Sequence, residues 1–400
     1  MRLARLLALA FAFAAPRLDR ALPRRRGAGG LRRPGARIRR LFPDDPAWMD
    51  WYAAVVLHAQ YYQQAMAAFT APYRMLPNSL RHVDEAKRHG PDRRDAVREQ
   101  IANGFPAGGG WHVRVYPVQP DATFRGNYGT ILSQAKAVST AAHLRRNAPL
   151  AHLALDQLYW VVGRNPFGQS TMVGEGYDFA PLYTARSGDI VGALPVGMKS
   201  LGNRDLPYWP ATNVWNYKEV WVHPVARWLA LMEDVEGPAV VRGRCDGPVT
   251  FAEAGAKEAA LAVPRDGRFE ARLSAGDYEA RCGAVRKRVT LLPGALVTLD
   301  LRPEQALDLD LSHQAEAGEK VRITLQARGI GAHAFVLRVH NLRTPEARRT
   351  ARLKPGETAR VDWVCEVADA DAPWVAVAVP DGDLDQRMEC TGASRAPDGP

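Results

Sequence analysis

Between Gly163 and Trp221 the sequence places five carboxylates, Glu175, Asp178, Asp189, Asp205 and Glu219, with aromatic residues such as Tyr177, Tyr183, Tyr208, Trp209, Trp215 and Trp221 interleaved. Hydrolysis of a sugar acetal needs one carboxylic acid to protonate the leaving oxygen and a second carboxylate to activate water or to attack. Flat side chains that stack against a pyranose ring complete the set. The segment therefore has the residue types of a sugar site. Each residue also has a plainer reading: a loop carboxylate is commonly solvated or caps a turn, and a loop aromatic packs beneath its own loop. Glu219 stands apart because Tyr217 and Trp221 flank it. Desolvation by such neighbours raises a carboxyl towards the range of a general acid, whereas the adjacent Lys218 works in the opposite direction.

The elements that must hold these residues are read from periodicity. Apolar and aromatic residues recur at helical spacing from Ala47 to Thr70, which predicts a long helix ended by Pro72 and Pro77. Residues 86–101 predict a polar surface helix. Two Ala- and Leu-rich helices follow, from about Gly129 to Arg146 and from Leu150 to Val162, and Pro224 opens a last one over Val225–Glu233. The segment from Gly163 to Tyr217 has no helical period, and a connection of that length is generally functional. After Val235 the pattern turns to alternation of period two, with strands such as Gly267–Leu273, Asp277–Cys282, Val321–Ala327 and Trp374–Val379. Those stretches predict two small antiparallel sandwiches, over residues 238–302 and 303–395.

The block Gly163-Arg-Asn165-Pro-Phe-Gly168-Gln-Ser170, with Gly174-Glu-Gly176 beyond it, resembles the hallmark of glycoside hydrolase family 9, in which a helix ending in L-G-x-N-P is followed by G-x-S and a G-x-G turn. Ser187-Gly188-Asp-Ile-Val-Gly192-Ala-Leu-Pro-Val-Gly197 is similar to that family's P-G-x-L-V-G-A-L-V-G-G loop. Tyr217-Lys-Glu219-Val220 stands where the family has N-E-V, and Gly126-Asn127 within Arg125–Gly129 is similar to its G-S-N. The resemblance covers residues 46–235. It implies an inverting (α/α)6-barrel enzyme acting on a β-linked glycan, with Glu219 as catalytic general acid. Tyr183, Arg186, Tyr208, Trp209, Trp215 and Tyr217 are the candidate substrate-binding residues. Arg186 is all that matches the family's P-H-H-R tract, since residues 180–186 read Ala-Pro-Leu-Tyr-Thr-Ala-Arg. The D-A-G-D motif that carries the family's base is absent, and Asp44 and Asp45 lack its context. An (α/α)6 barrel takes about twelve helices, and the periodic segments supply about half of them. The resulting expectation is an incomplete all-α toroid, truncated and of low activity alone, followed by two all-β modules that are immunoglobulin-like or carboxypeptidase-regulatory-like. The competing reading is a non-catalytic carbohydrate-binding or scaffolding protein. A lyase using Tyr or His as base is a third.

Composition narrows the partners. Four hundred residues with 46% hydrophobic content suggest two to four domains. The net charge of +10 resides in residues 1–40, which hold twelve Arg and one acid, Asp19. The rest of the chain is near neutral, so no nucleic-acid partner is expected. Met1–Arg5 followed by the apolar run to Ala15 has the form of an export signal, and residues 17–40 read as Arg-rich and disordered. A secreted or periplasmic protein is expected from this, a misassigned start being the alternative. No membrane partner, cofactor or metal is expected; His112, His143, His152 and His223 lack ligand spacing, and Gly108–Gly110 lacks the helix of a phosphate loop. Cys245 and Cys282 fall in one β module and Cys365 and Cys390 in the other, which predicts one disulfide in each.

Overall fold

A computed structural model describes residues 45–118, 126–184, 190–212, 215–253, 259–381 and 383–393, with the backbone only at Asn216 and Tyr217. The described chain forms two compact units. One runs from Leu57 to Val235, and the other joins the residues up to Val56 to those from Glu236 onward.

Helix α1 (Trp48–Leu57) continues as a π-helical stretch, His58–Gln64, and a further turn, Ala65–Ala67. In the first unit Tyr62 and Met66 pack on a small antiparallel sheet of order β1-β3-β2, formed by β1 (Ser79–His82), β2 (Phe105–Gly108) and β3 (Trp111–Arg114). Gly108, Gly109 and Gly110 all have positive φ and make the β2–β3 turn, a conformation glycine enters without strain. Helix α2 (Pro91–Ala102) starts on a proline and buries Val97 and Ile101. Helices α3 (Tyr128–Arg145) and α4 (Ala148–Val161) are joined by left-handed Arg146 and by Asn147, whose side chain accepts from the Leu150 amide at 3.0 Å. That bond satisfies one of the free donors at the α4 start. A two-stranded ribbon, β4 (Lys199–Ser200) with β5 (Pro207–Tyr208), precedes the short α5 (Trp215–Lys218) and the last helix, α6 (Val222–Val235).

In the second unit β6 (Ala239–Arg244), β7 (Val249–Glu253), β8 (Ala259–Ala262), β9 (Arg268–Leu273), β10 (Gly276–Cys282), β11 (Val285–Leu291) and β12 (Leu296–Asp300) form two sheets, of order β11-β10-β7-β8 and β12-β6-β9. Phe251 of β7 meets Phe269 of β9 at 6.0 Å between ring centres. Cys245 and Cys282 are disulfide-bonded. Next come β13 (Asp308–Glu316), β14 (Lys320–Arg328), β15 (Gly331–His340), β16 (Leu342–Arg343), β17 (Arg348–Leu353), β18 (Ala359–Val367), β19 (Trp374–Pro380) and β20 (Met388–Gly392). Their sheets have the orders β13-β14-β18-β16 and β17-β15-β19-β20. Ile323, Leu325 and Trp363 from one sheet and Phe335, Leu337 and Trp374 from the other share one core. Burial of each such side chain stabilises the module by about 2 kcal/mol.

Strand β19 is buried along its whole length. Its Ala376 and Ala378 face the shared core, and Val375, Val377 and Val379 are the alternate residues, which face the other way. On the neighbouring strands stand the partners of α1. The Tyr52 hydroxyl bonds Glu389 of β20, Arg338 of β15 lies over the Trp48 ring at 5.0 Å, and Asp50 pairs with His340 of β15 at 3.2 Å. The start of α1 therefore belongs with this sheet.

Two expectations need correction. Among the described residues 37% lie in strand and 28% in helix, so the chain is not an (α/α)6 toroid. A toroid requires helical hairpins throughout, whereas residues 79–82 and 105–114 pair as a sheet and everything beyond Gly237 alternates with period two. The second module holds free thiols rather than a disulfide: Cys365 is buried, Cys390 half-buried, and burial raises both, Cys390 to about 12. Residues 1–44, where the export signal and Arg-rich segment were read, lie outside the described residues.

Candidate functional site

The long segment between α4 and α6 is knitted from short, mostly backbone links. Asn165 closes the turn after α4: its amide nitrogen donates to the carbonyls of Trp160 and Gln169, each at 2.8 Å, and its oxygen accepts from Phe167. Asn127, at the head of α3, accepts from the Met198 amide at 3.1 Å. Gly126 has no room for a side chain, because a Cβ there would lie 2.3 Å from the Gly197 carbonyl. The residues carrying the family-like pattern thus have local structural work.

Three strands of this segment converge on Glu219. Tyr183 donates its amide to the Lys218 carbonyl at 2.9 Å and accepts from Val220 at 3.2 Å. Val196 donates to the Glu219 carbonyl at 2.9 Å, and Trp221 to Leu194 at 3.2 Å. The Glu219 carboxylate accepts from the Trp221 indole at 2.8 Å in an exposed setting. Around it Tyr183, Trp215 and Trp221 remain 37%, 42% and 38% exposed, which leaves ring surface open to a ligand. Tyr208 on β5 is exposed to the same degree.

Trp209 differs from its neighbours. It is buried, its indole donates to Gln169 at 3.1 Å, and Gln169 in turn donates to Asp178 at 2.9 Å. Lys218 is fully buried, with its ammonium 4.8 Å from the centre of the Trp209 ring and 3.3 Å from the Ala211 carbonyl. Burial lowers the pKa of Lys218. Its ammonium is thus spent on Trp209 and Ala211, a placement that sequence adjacency to Glu219 does not convey. Asp205 accepts from the amides of Val115 and Tyr116, both at 2.9 Å, beside buried Arg114 at 3.4 Å. Burial raises its carboxyl despite these partners. It braces β3 against the segment 200–205 rather than facing a ligand. Arg186 and Asp189 lie outside the described residues, as does the side chain of Tyr217.

Among the described residues no group of three or more His, Cys, Asp or Glu is placed to hold a metal ion. His143 donates from Nε2 to the Asp234 carbonyl at 2.9 Å, a packing role. None of the described helices is long and apolar enough to cross a membrane.

No family model matches the chain, and no curated protein matches it. Among solved structures, a Bacteroides ovatus protein of the DUF3823 family aligns at 11% identity over 40% of this chain and 100% of its own, with a TM-score of 0.16. A Bacteroides uniformis protein provisionally described as carbohydrate binding aligns at 9% over 39% of this chain and 98% of its own, also at 0.16. A Parabacteroides merdae β-glucuronidase aligns at 13% over 42% of this chain and 26% of its own, at 0.18. Scores this low assign neither fold nor activity. The resemblance to glycoside hydrolase family 9 is not upheld, since the chain matches no model of that family and is dominated by strand.

Proposed function

We propose that the chain is a non-catalytic carbohydrate-binding protein, and that its sugar-contacting face is the cluster of Tyr183, Trp215, Glu219 and Trp221. One observation carries this reading: the Trp221 indole fixes the Glu219 carboxylate at 2.8 Å while its own ring and that of Tyr183 stay open to solvent. Flat amphipathic rings accept the C–H face of a sugar, and an oriented carboxylate accepts its hydroxyls. Both groups are held by backbone links, so little ordering is left to be done on binding.

Binding is proposed over cleavage because two of the segment's four other acids are engaged elsewhere. Inverting hydrolysis needs a second carboxylate about 6.5–9.5 Å from the acid, free to activate water. Asp205 is committed to two amides, and Asp178 to Gln169. The test is retention of the full chain on insoluble cellulose, xylan and β-1,3-glucan, with reducing ends assayed in parallel. Retention on at least one polymer, abolished by Trp221→Ala and without new reducing ends, supports the reading. Release of reducing ends that is lost in Glu219→Gln would replace it with a hydrolase, and no retention on any glycan removes it.

A further inference from the structure

The Glu219 carboxylate is held in place without being neutralised. Its one side-chain partner among the described residues is the Trp221 indole, at 2.8 Å. An indole N–H donates a hydrogen bond but carries no charge, so the negative charge stays whole. The base next to it in sequence is turned away. Lys218 directs its ammonium to the Trp209 ring, at 4.8 Å, and to the Ala211 carbonyl, at 3.3 Å. Among the described residues no other basic side chain lies within ion-pair distance of Glu219.

Three aromatic residues are tied to the same carboxylate-bearing residue. Tyr183 pairs with Glu219 backbone to backbone, the Trp215 carbonyl accepts the Glu219 amide at 3.2 Å, and Trp221 holds the side chain itself. All three rings remain partly open to solvent. The face of such a ring carries negative potential and attracts a cation, tryptophan most strongly. A neutral sugar would use the rings and give its hydroxyls to the carboxylate, but would leave the charge unopposed. A protonated amine borne on a pyranose uses everything present: its C–H face meets a ring, and its ammonium meets the carboxylate through a charge-assisted hydrogen bond. Long-range attraction does not produce this preference, because the whole chain carries a net charge of +10 and repels a polycation.

We infer that the Trp221 face selects a glycan of unacetylated amino sugars, whose protonated amine supplies the counter-charge that Glu219 lacks. The inference rests on the reading of the chain as a carbohydrate binder and names the sugar class for that same face. The test is calorimetric titration of the full chain with three tetrasaccharides of one linkage: those of glucose, of N-acetylglucosamine and of glucosamine. Tetralysine serves as a cation without a sugar. At about pH 6, below the range of such amines, the glucosamine tetramer is expected to bind about tenfold tighter than either neutral one, the size of a cation–ring contact at an exposed site. At about pH 9, above that range, the preference should vanish. Glu219→Gln keeps an acceptor for the indole and removes the charge, so it should abolish the preference at the lower pH as well. Equal or tighter binding of the neutral tetramers overturns the inference and leaves the carbohydrate reading standing. A preference that survives in Glu219→Gln, or at the higher pH, places recognition of the amine elsewhere and also overturns it. If tetralysine binds as tightly as the glucosamine tetramer, charge alone is being read and the inference falls. If no oligosaccharide binds at all, both readings fall.

Discussion

Lys136 of α3 lies 2.6 Å from Asp234 of α6, and Ser139 donates to the same carboxylate oxygen at 2.9 Å. Asp234 is 5% exposed, so its charge is partnered almost wholly by protein. Truncating one member of a buried pair strands the other, at a cost of about 3 kcal/mol. Asp234→Ala should lower stability by that amount in urea unfolding, with the slope unchanged. Adding Lys136→Met should recover most of the loss. A change under about 0.5 kcal/mol in the single variant, the size of an ordinary surface substitution, would show that helix packing alone joins α3 to α6.

His58 gives the first unit a defined acid sensitivity. Burial lowers its pKa from 6.5 to about 4, and its Nε2 stands 3.3 Å from the Gln63 amide nitrogen, where the neutral ring acts as acceptor. The folded state therefore binds its proton less tightly than the unfolded state. Stability from this residue is present above pH 6.5 and is lost progressively as the pH falls towards 4. His58→Gln should flatten the stability profile in that window by about 1–2 kcal/mol, as measured by denaturant midpoints at a series of pH values. An unchanged slope would mean that other groups carry the acid response.

Trp209 separates packing from binding. Its indole donates to Gln169, and its ring covers the Lys218 ammonium. Trp209→Phe keeps most of the apolar surface but removes the donor, so it should cost about 1 kcal/mol in stability. Retention on glycan should be unaltered, in contrast to Trp221→Ala. Equal loss of glycan retention in both variants would place Trp209 in the binding face after all.

The cysteines make a prediction that mass spectrometry and thiol titration check together. Cys245 and Cys282 are 37 residues apart. Closing a loop of that length restricts the unfolded chain by about 4 kcal/mol. Replacing both by Ala should lower the melting temperature of the β6–β12 module and leave the β13–β20 module unaffected. The unfolded, unreduced natural chain should titrate two thiols, Cys365 and Cys390, both slow to react while folded because burial disfavours their thiolates.

Much of the chain could be read before folding because its strands and helices obey simple periods. The alternation in Asp277–Cys282 and Val321–Ala327 appears as β10 and β14, and the Ala- and Leu-rich stretches appear as α3 and α4. The short sheet β1-β3-β2 escaped, since four-residue strands carry too few positions to establish a period. Site residues were harder still. Trp209 and Trp215 look alike in sequence, and only the Gln169 bond and the Lys218 ammonium mark Trp209 as interior. Glu219 and Trp221 were both visible, but the bond between indole and carboxylate was not, because proximity in sequence does not show which side chains meet. The largest error arose from motif spacing. Gly126, Asn127 and Asn165 fit a family pattern, yet each is explained by a turn or close approach that many folds require.

The valines of β19 carry a practical consequence. Val375, Val377 and Val379 are sealed, and α1 is anchored through Tyr52 and Trp48 to the strands on either side. Trimming the chain to β13–β20 without residues 45–56 would remove the helix that is bonded to β15 and β20, the strands that flank these valines, and leave Arg338, His340 and Glu389 without those partners. Soluble expression of that module should therefore depend on helix α1, encoded some 250 residues upstream of its first strand.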